Sequence, residues 1–309
     1  MSISIIICTY NRAGLLERAL RALARQTIRP EHFEVIVIDD CSEDATATVC
    51  DIARRDLPNL RYVCNSTNMG IPGAANRGIC VSSGDRLLFT DDDCIAHNNW
   101  VECMGKALLS EPIVAGAVAS PVSNYIRLCH NIAEFHRFMP GLKGGPVQFI
   151  AGANMGIRRS VIEELAGFQN CAMLAPDMEM VLRAQSKGHS IFFEPNAIVT
   201  HNPDRTTLAS VFRYASKHAS ETVVYRNQYR SLLRTPFVIR LSALTVLASP
   251  LIAFKVTLGI YLKNTSLMRF FGTIPLVYLL KVAWCWGAAV GLRKHERRKT
   301  EWFASSSSP

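Results

Sequence analysis

At 309 residues the chain is long enough for one large or two ordinary domains, and an apolar fraction of 49% with positive mean hydropathy is high for a purely soluble protein. The net charge of +9 is unevenly placed: residues 1–230 carry 23 Lys and Arg against 23 Asp and Glu, whereas residues 231–309 carry 11 against 2. That balance argues against nucleic-acid binding by the main body and sets a basic, apolar C-terminal segment beside anionic lipid.

Ten cysteines suggest a disulfide framework until their positions are read. Cys8, Cys64 and Cys80 sit in or beside apolar segments and no Cys-x-x-Cys pair occurs, which is the pattern of reduced core residues. The N-terminus has no basic n-region and runs straight into a strand, so it does not read as a signal peptide, and the main body is expected in the cytoplasm.

Ser4 to Cys8 is a short apolar strand, followed by Thr9-Tyr10-Asn11-Arg12. From Ala13 to Gln26 the residues Leu15, Leu16, Ala19, Leu20 and Leu23 fall on one helical face. Phe33 to Ile38 is a second strand ending in Asp39-Asp40, after which Ser42 or Asp44 can cap a helix. Leu60 to Cys64 is a third strand, and Asn65 to Gly84 reads as loop plus helix punctuated by Gly70, Pro72, Gly73 and Gly78. A fourth strand, Leu87 to Phe89, runs into Asp91-Asp92-Asp93. This alternation predicts an α/β fold: a mainly parallel, Rossmann-like sheet with flanking helices.

In a parallel sheet the polar ends of strands one, two and four share one edge and converge on one crevice. Three adjacent carboxylates repel one another unless paired or bound to a cation, so a divalent metal is their natural counter-charge. No Gly-x-Gly-x-x-Gly follows the first strand, which sets a dinucleotide-binding domain aside.

The order Thr-Tyr-Asn-Arg, Val-Ile-Asp-Asp-Cys-Ser-Glu-Asp, Asn68-Met69-Gly70, Asn76-Arg77-Gly78, Ser83-Gly84-Asp85 and Thr-Asp-Asp-Asp resembles the family 2 glycosyltransferases. Ala151-Gly152-Ala153-Asn154-Met155-Gly156, Gly167-Phe168, Asp177-Met178-Glu179 and Val199-Thr200-His201 continue it, so that it covers roughly residues 3–203. The resemblance implies an A-type glycosyltransferase fold, here the nucleotide-diphospho-sugar transferase sheet, with a nucleotide diphosphate sugar as donor and Mn2+ or Mg2+ as cofactor. It implies that Thr9, Tyr10, Asn11, Arg12, Asp40, Asn76 and Asp91 border the nucleotide, with Asp40 accepting from the base. Asp91, Asp93 and His201 are implied as metal ligands, and Asp177 as the base of an inverting single displacement. Asp92, Gly152, Ala153, Asn154 and Glu179 are implied at the donor sugar or acceptor.

The chain departs from the family pattern twice. Pro176 stands where an acid usually precedes Asp177, and Glu179 replaces a later Asp, so the base lies between Asp177 and Glu179, with Asp177 favoured at a helix start that tolerates Pro. Ala75 stands where many members carry Arg, which leaves Arg77 or Arg12 to take that place, or a lower nucleotide affinity. Residues 121–148 read as a solvated acceptor-side loop, in which His130 and Glu134 could share a helical face.

Thr206 to Arg234 reads as an amphipathic linking helix. Two apolar stretches follow, Phe237 to Leu262 and Phe270 to Leu292, each long enough to cross a hydrocarbon core of roughly 30 Å, with a basic and then Ser-rich tail over 293–309. A two-span hairpin returns the basic tail to the cytoplasmic side, although Lys281 lies near the middle of the second stretch. The expected organisation is therefore a catalytic domain over 1–205 (nucleotide half to about 95, acceptor half beyond), a link over 206–235, apolar membrane-associated helices over 236–292, and the tail. The expected function is transfer of a sugar, of hexosyl type, to a lipid-linked or cell-surface glycan acceptor at the cytoplasmic face of a membrane. The absence of a Gln-x-x-Arg-Trp stretch argues against processive polymerisation. The alternative is a non-catalytic nucleotide-sugar-binding or scaffold protein, prompted by Pro176 and Ala75.

Overall fold

The structure, a computed structural model, describes residues 2–169 and 175–306, with side chains as far as Glu296. The Ser-rich end of the tail lies outside the described side chains. The chain forms two compact units: Met1–Pro121 with Arg137–Pro203, and Val122–His136 with Asp204–Pro309.

The first unit follows the alternation of the sequence. It runs β1 (Ile3–Thr9), α1 (Ala13–Leu23), β2 (Phe33–Asp39), α2 (Thr46–Ala53), β3 (Leu60–Cys64), α3 (Gly70–Val81), β4 (Arg86–Thr90), β5 (Cys94–Ala96), α4 (Trp100–Ser110) and β6 (Ile113–Ala119). After α5 (Tyr125–Phe135), which belongs to the second unit, come β7 (Gly145–Val147), β8 (Asn154–Arg158), α6 (Arg159–Glu164), α7 (Pro176–Ser186) and β9 (Ile191–His201). The described strands form one sheet in the order β3-β2-β1-β4-β8-β6-β9-β5, with β7 also on β9.

Ile5 and Ile7 are as fully buried as Ile6, so both faces of β1 are covered, and its unbroken apolar run follows from that. One cover is α3, packed so closely that a Cβ at Gly78 would lie 2.5 Å from Ile6 Cγ2. α1 buries Leu15, Leu16, Ala19, Leu20 and Leu23, the face its spacing predicts. The sheet is mixed rather than mainly parallel. β3, β2, β1 and β4 are parallel, but β8 enters antiparallel between β4 and β6, and β5 and β7 are antiparallel to β9. The nucleotide-half strands carry the parallel signal and β6 with β9 repeats it, while the short strands β5, β7 and β8 run antiparallel to their neighbours.

The second unit is helical: α5, α8 (Leu208–Gln228), α9 (Arg230–Leu233), α10 (Ser242–Leu247), α11 (Ser249–Lys263) and α12 (Ile274–Ser306). α12 lies against α8 so tightly that a Cβ at Gly287 or Gly291 would come within 2.1 Å of the Ser216 or Ser220 carbonyl oxygen. Ala219 and Val223 pack there with Ala288 and Leu292.

Two expectations change in this unit. Residues 121–148 are not one solvated loop, because α5 buries His130 edge-on against Tyr214 and sets Glu134 3.3 Å from His218 Nδ1. Burial opposes ionisation of Glu134, but its hydrogen bond and charge contact with His218, and the nearby Lys281 and His130, hold its carboxyl well below the usual range. The stretch 237–262 is not one helix either. It divides into a 3-10 turn at Phe237–Arg240, then α10 and α11, with Pro250 in the first turn of α11, where its missing N–H is harmless. Among the described residues one helical stretch, Thr265–Glu296, is long and apolar enough to cross a membrane, and 44% of its most apolar window is buried inside the protein.

Candidate active site

The site lies along the edge where β1, β2 and β4 end. Parallel register sets Thr9 beside Asp39, and Asp40 N–H donates to Thr9 O. β4 ends at Thr90, paired with Asn154 of β8, and the Thr90 hydroxyl donates to Ala153 O at 2.9 Å. The Asp triplet is thereby fixed beside the Gly152-Ala153 backbone.

His201 arrives from the far end of the sequence by sheet pairing. β5 begins just after Asp93 and pairs with the end of β9, Cys94 opposite His201, while Asn202 N–H donates to Asp93 O. His201 Nε2 lies 3.4 Å from Asp93 Oδ1, both side chains almost wholly buried. One ligand atom from each of Asp91, Asp93 and His201 lies within 4.8 Å of the others. Two carboxylate oxygens and an imidazole nitrogen, held together against their own repulsion, are a donor set that fits a divalent cation. Asp91 is exposed to water, unlike Asp93 and His201, yet the protein packed around its carboxyl and the adjacent Asp93 and Asp92 push it up to about 7, with Arg12 pulling the other way and Asp177 adding to the rise.

The middle carboxylate has neighbours of its own. Asp92 accepts from the Thr9 hydroxyl at 2.8 Å and forms an ion pair with Arg12 Nη1 at 2.6 Å, while Arg12 Nη2 donates to Asp93 at 2.7 Å. Arg12 and Thr9, expected at the nucleotide, are thus tied to the triplet. Asn11 sits at φ 52°, a left-handed conformation that Asn tolerates; its N–H donates to Ser42 Oγ and its side-chain oxygen accepts from Glu43 N–H. Ser42 therefore does not cap α2. Asp44 instead accepts from Thr46 N–H and from Ala13 N–H at the start of α1. Tyr10 is about half exposed at the rim.

Asp40 accepts from Asn65 Nδ2 and Met69 N–H on one oxygen and from Gly70 N–H on the other, all at 2.8 Å, and so anchors the loop before α3. Asp39 accepts from Ser42 N–H and the Tyr62 hydroxyl.

Asp177 stands in the first turn of α7 behind Pro176, at the N-terminus of the helix. A Cβ at Gly152 would lie 2.9 Å from its Oδ2, so the carboxylate abuts the strand segment that flanks the Asp triplet. Three other expected contact residues are engaged within the protein. Glu179 is buried in a bidentate pair with Arg183, which also donates to Leu165 O and Gly167 O. The Asn76 amide closes a two-bond ring with the backbone of Phe168. Asn154 is wholly buried, accepting from the Trp100 indole and donating to Ala117 O and Ala197 O. Their task is to hold β8, α3 and α7 in place.

Asn65, Tyr62 and Trp100 were absent from the sequence expectation. No local pattern marks them, since their partners lie 23 to 54 positions away. Every described cysteine is a free thiol, and burial with the nearby carboxylates pushes the Cys8 and Cys94 thiols far up, so neither acts as a nucleophile here.

Residues 4–166 match the model of glycosyl transferase family 2, and residues 89–290 that of glycosyl transferase family group 2. The chain belongs to glycosyl transferase family 2. It is 28% identical over 202 residues to glycosyltransferase AglE of Haloferax volcanii, covering 64% of this chain and 66% of AglE, just under two thirds. It is 27% identical to the O-antigen chain rhamnosyltransferase RfbN of Salmonella typhimurium, over 69% of this chain and 70% of that one. Among solved structures it is similar to the mannosyltransferase PcManGT of Pyrobaculum calidifontis in complex with GDP-Man and Mn2+. That match has a TM-score of 0.59 and 20% identity and covers 94% of this chain and 86% of that chain. It is also similar to S. aureus TarS 1-349 in complex with UDP, with a TM-score of 0.55 and 15% identity over 96% and 92% of the two chains. The fold is that of the A-type glycosyltransferases.

Proposed function

We propose that this protein is an inverting glycosyltransferase that takes a sugar from a nucleotide diphosphate donor and passes it to a lipid-linked or cell-surface glycan acceptor. What carries the reading is one crevice shared by a divalent-cation donor set, Asp91, Asp93 and His201, and a carboxylate, Asp177, set against the Gly152 backbone. A bound Mn2+ or Mg2+ supplies positive charge where the departing diphosphate accumulates negative charge.

Asp177 takes the proton of the acceptor hydroxyl as that oxygen bonds to the anomeric carbon and the carbon–diphosphate oxygen bond breaks on the opposite face. One displacement of this kind inverts the anomeric centre. Thr9, Tyr10, Asn11 and the Asp40-anchored loop border the nucleotide, and Arg12, already among the carboxylates, takes the role that Ala75 cannot fill. Gly152 and Ala153, with no more than one methyl group between them to obstruct it, line the sugar.

The acceptor class draws on the glycan named for RfbN and on the apolar C-terminal helix, which also supports membrane association; the cytoplasmic orientation of the catalytic side is proposed from the basic stretch 293–299. The test is a thermal-shift screen of UDP-, GDP- and dTDP-sugars with and without Mn2+, followed by transfer assays with the donor that shifts. A shift requiring both nucleotide sugar and metal, lost in Asp93→Ala, is the expected result; none at saturating ligand would return the protein to a scaffold role.

A further inference from the structure

The second unit turns a helix inside out. On α11 Leu251, Phe254, Leu258 and Leu262 recur at steps of three and four, which places them on one face, and Leu247 of α10 and Phe271 continue the run. All are exposed, Leu247 and Leu251 by three quarters. The buried face of α11 carries Ser249, Ala253 and Thr257 beside Ile260 and Tyr261. A helix at a water-facing surface has the reverse arrangement, and soluble monomers seldom leave so long an apolar surface uncovered. Lys255 within the stripe, and Lys263 and Arg269 at its end, are exposed as well.

Crossing the bilayer suits these elements poorly. α11 has 15 residues, about 22 Å of helix, against a hydrocarbon core of about 30 Å; α10, joined to it through Ala248, lengthens the run but buries its polar Ser242 and Thr245 within the protein. α12 is long enough, but Gly287 and Gly291 lie against the α8 backbone, and Lys281, midway along, donates to Ala133 O of α5. α8 carries Arg213, Lys217 and Glu221, and α5 carries Glu134. Taking α12 through hydrocarbon would draw those charges in with it.

We propose that the outer face of α11, extended by Leu247 and Phe271, lies in the plane of one leaflet of an anionic bilayer. This rests on the membrane reading above. The lysine stems lie along the apolar stripe while their ammonium groups, with the Arg269 guanidinium, meet lipid phosphates. A second copy of the chain would cover the same stripe, but it would bring three cations of one copy toward three of the other; an anionic headgroup layer neutralises them.

The test is flotation of the full-length protein with phosphatidylcholine vesicles, with and without phosphatidylglycerol, beside a triple variant Leu251→Glu, Phe254→Glu, Leu258→Glu. The three positions are exposed, so the variant should keep the wild-type circular dichroism and melting temperature. We expect the wild type to float, more so with phosphatidylglycerol, and the variant to lose roughly tenfold or more of its bound fraction. In a second arm a protease site is inserted between Thr265 and Ser266, and the protein is made in the presence of sealed vesicles; an in-plane α11 leaves that site open to the same protease that digests the catalytic unit. Protection of the site, or flotation unchanged in the variant, overturns the in-plane assignment while the membrane reading stands. Failure of the wild type to float on any vesicle removes both. A dimer in light scattering that the variant abolishes, without flotation, gives the face to a second copy instead.

Discussion

Asp91, Asp92 and Asp93 are adjacent in sequence, yet the fold gives each a different neighbourhood. Asp92 is paired with Arg12 and accepts from the Thr9 hydroxyl, Asp93 shares Arg12 and faces His201, and Asp91 is left with the least compensation. An Asp in the unfolded chain ionises near about 3.9. Held at about 7 in the fold, Asp91 contributes stability that is complete below the unfolded value and is lost as pH rises through 7. Without metal, the melting-temperature gain of Asp91→Asn over the wild type should therefore grow between roughly pH 4 and pH 7 and level off above. Mn2+ should reverse that ranking, because ligation needs the ionised carboxylate: the wild type should be stabilised more at the higher pH, and the variant hardly at all. A wild-type Mn2+ shift independent of pH would remove Asp91 from the metal site. Asp177 and Glu179 separate just as clearly. Asp177→Asn should lower transfer by about 10²–10⁴-fold with nucleotide binding intact. Glu179→Gln should instead cost about 3 kcal/mol in denaturant unfolding, since it leaves Arg183 without its buried partner. The sequence favoured Asp177 as the base but left Glu179 open; the i,i+4 spacing of Glu179 and Arg183 was the available signal of their ion pair.

Elements were legible in proportion to how local their determinants are. The one-sided apolar spacing of α1 and the uninterrupted run of β1 follow from residues a few positions apart, and the helix and the strand are there. Strand direction is set by partners far away, which is why antiparallel β8, sitting between β4 and β6, is not visible from Asn154-Met155-Gly156 alone. Helix contact is similar. Gly287 and Gly291 look like tolerated small residues in an apolar run, but their spacing of four marks where α12 touches α8. Gly287→Ala should cost about 1–3 kcal/mol or more, because backbone rather than a flexible side chain blocks the new methyl. Gly259→Ala in α11, where nothing lies within 4 Å, should gain about 0.5–1 kcal/mol from helix propensity. Equal effects of the two substitutions, measured by chemical denaturation, would contradict the α8–α12 contact.

At the scale of the whole molecule, the sheet edge that carries the candidate site could be anticipated because a sheet brings strand ends together however far apart they lie in sequence. Thr9, Asp40, Asp91 and His201 come from four strands, and the register alone places His201 beside Asp93. The division into units was less accessible, since α5 interrupts the first unit in sequence while belonging to the second. This has a consequence for truncation. If residues 236–309 were only an appended anchor, deleting them would leave a soluble enzyme. In the structure Ala215, Ala219 and Val223 of α8 are buried, and Ala288 and Leu292 of the deleted segment cover two of them, while Glu134 loses the nearby Lys281. The fragment ending at Thr235 should therefore leave the membrane fraction yet aggregate, because an apolar helix face is newly open to water and favours self-association. Size exclusion with light scattering decides it: a monodisperse fragment that still responds to Mn2+ and nucleotide sugar would mean that α8 needs no cover from α12.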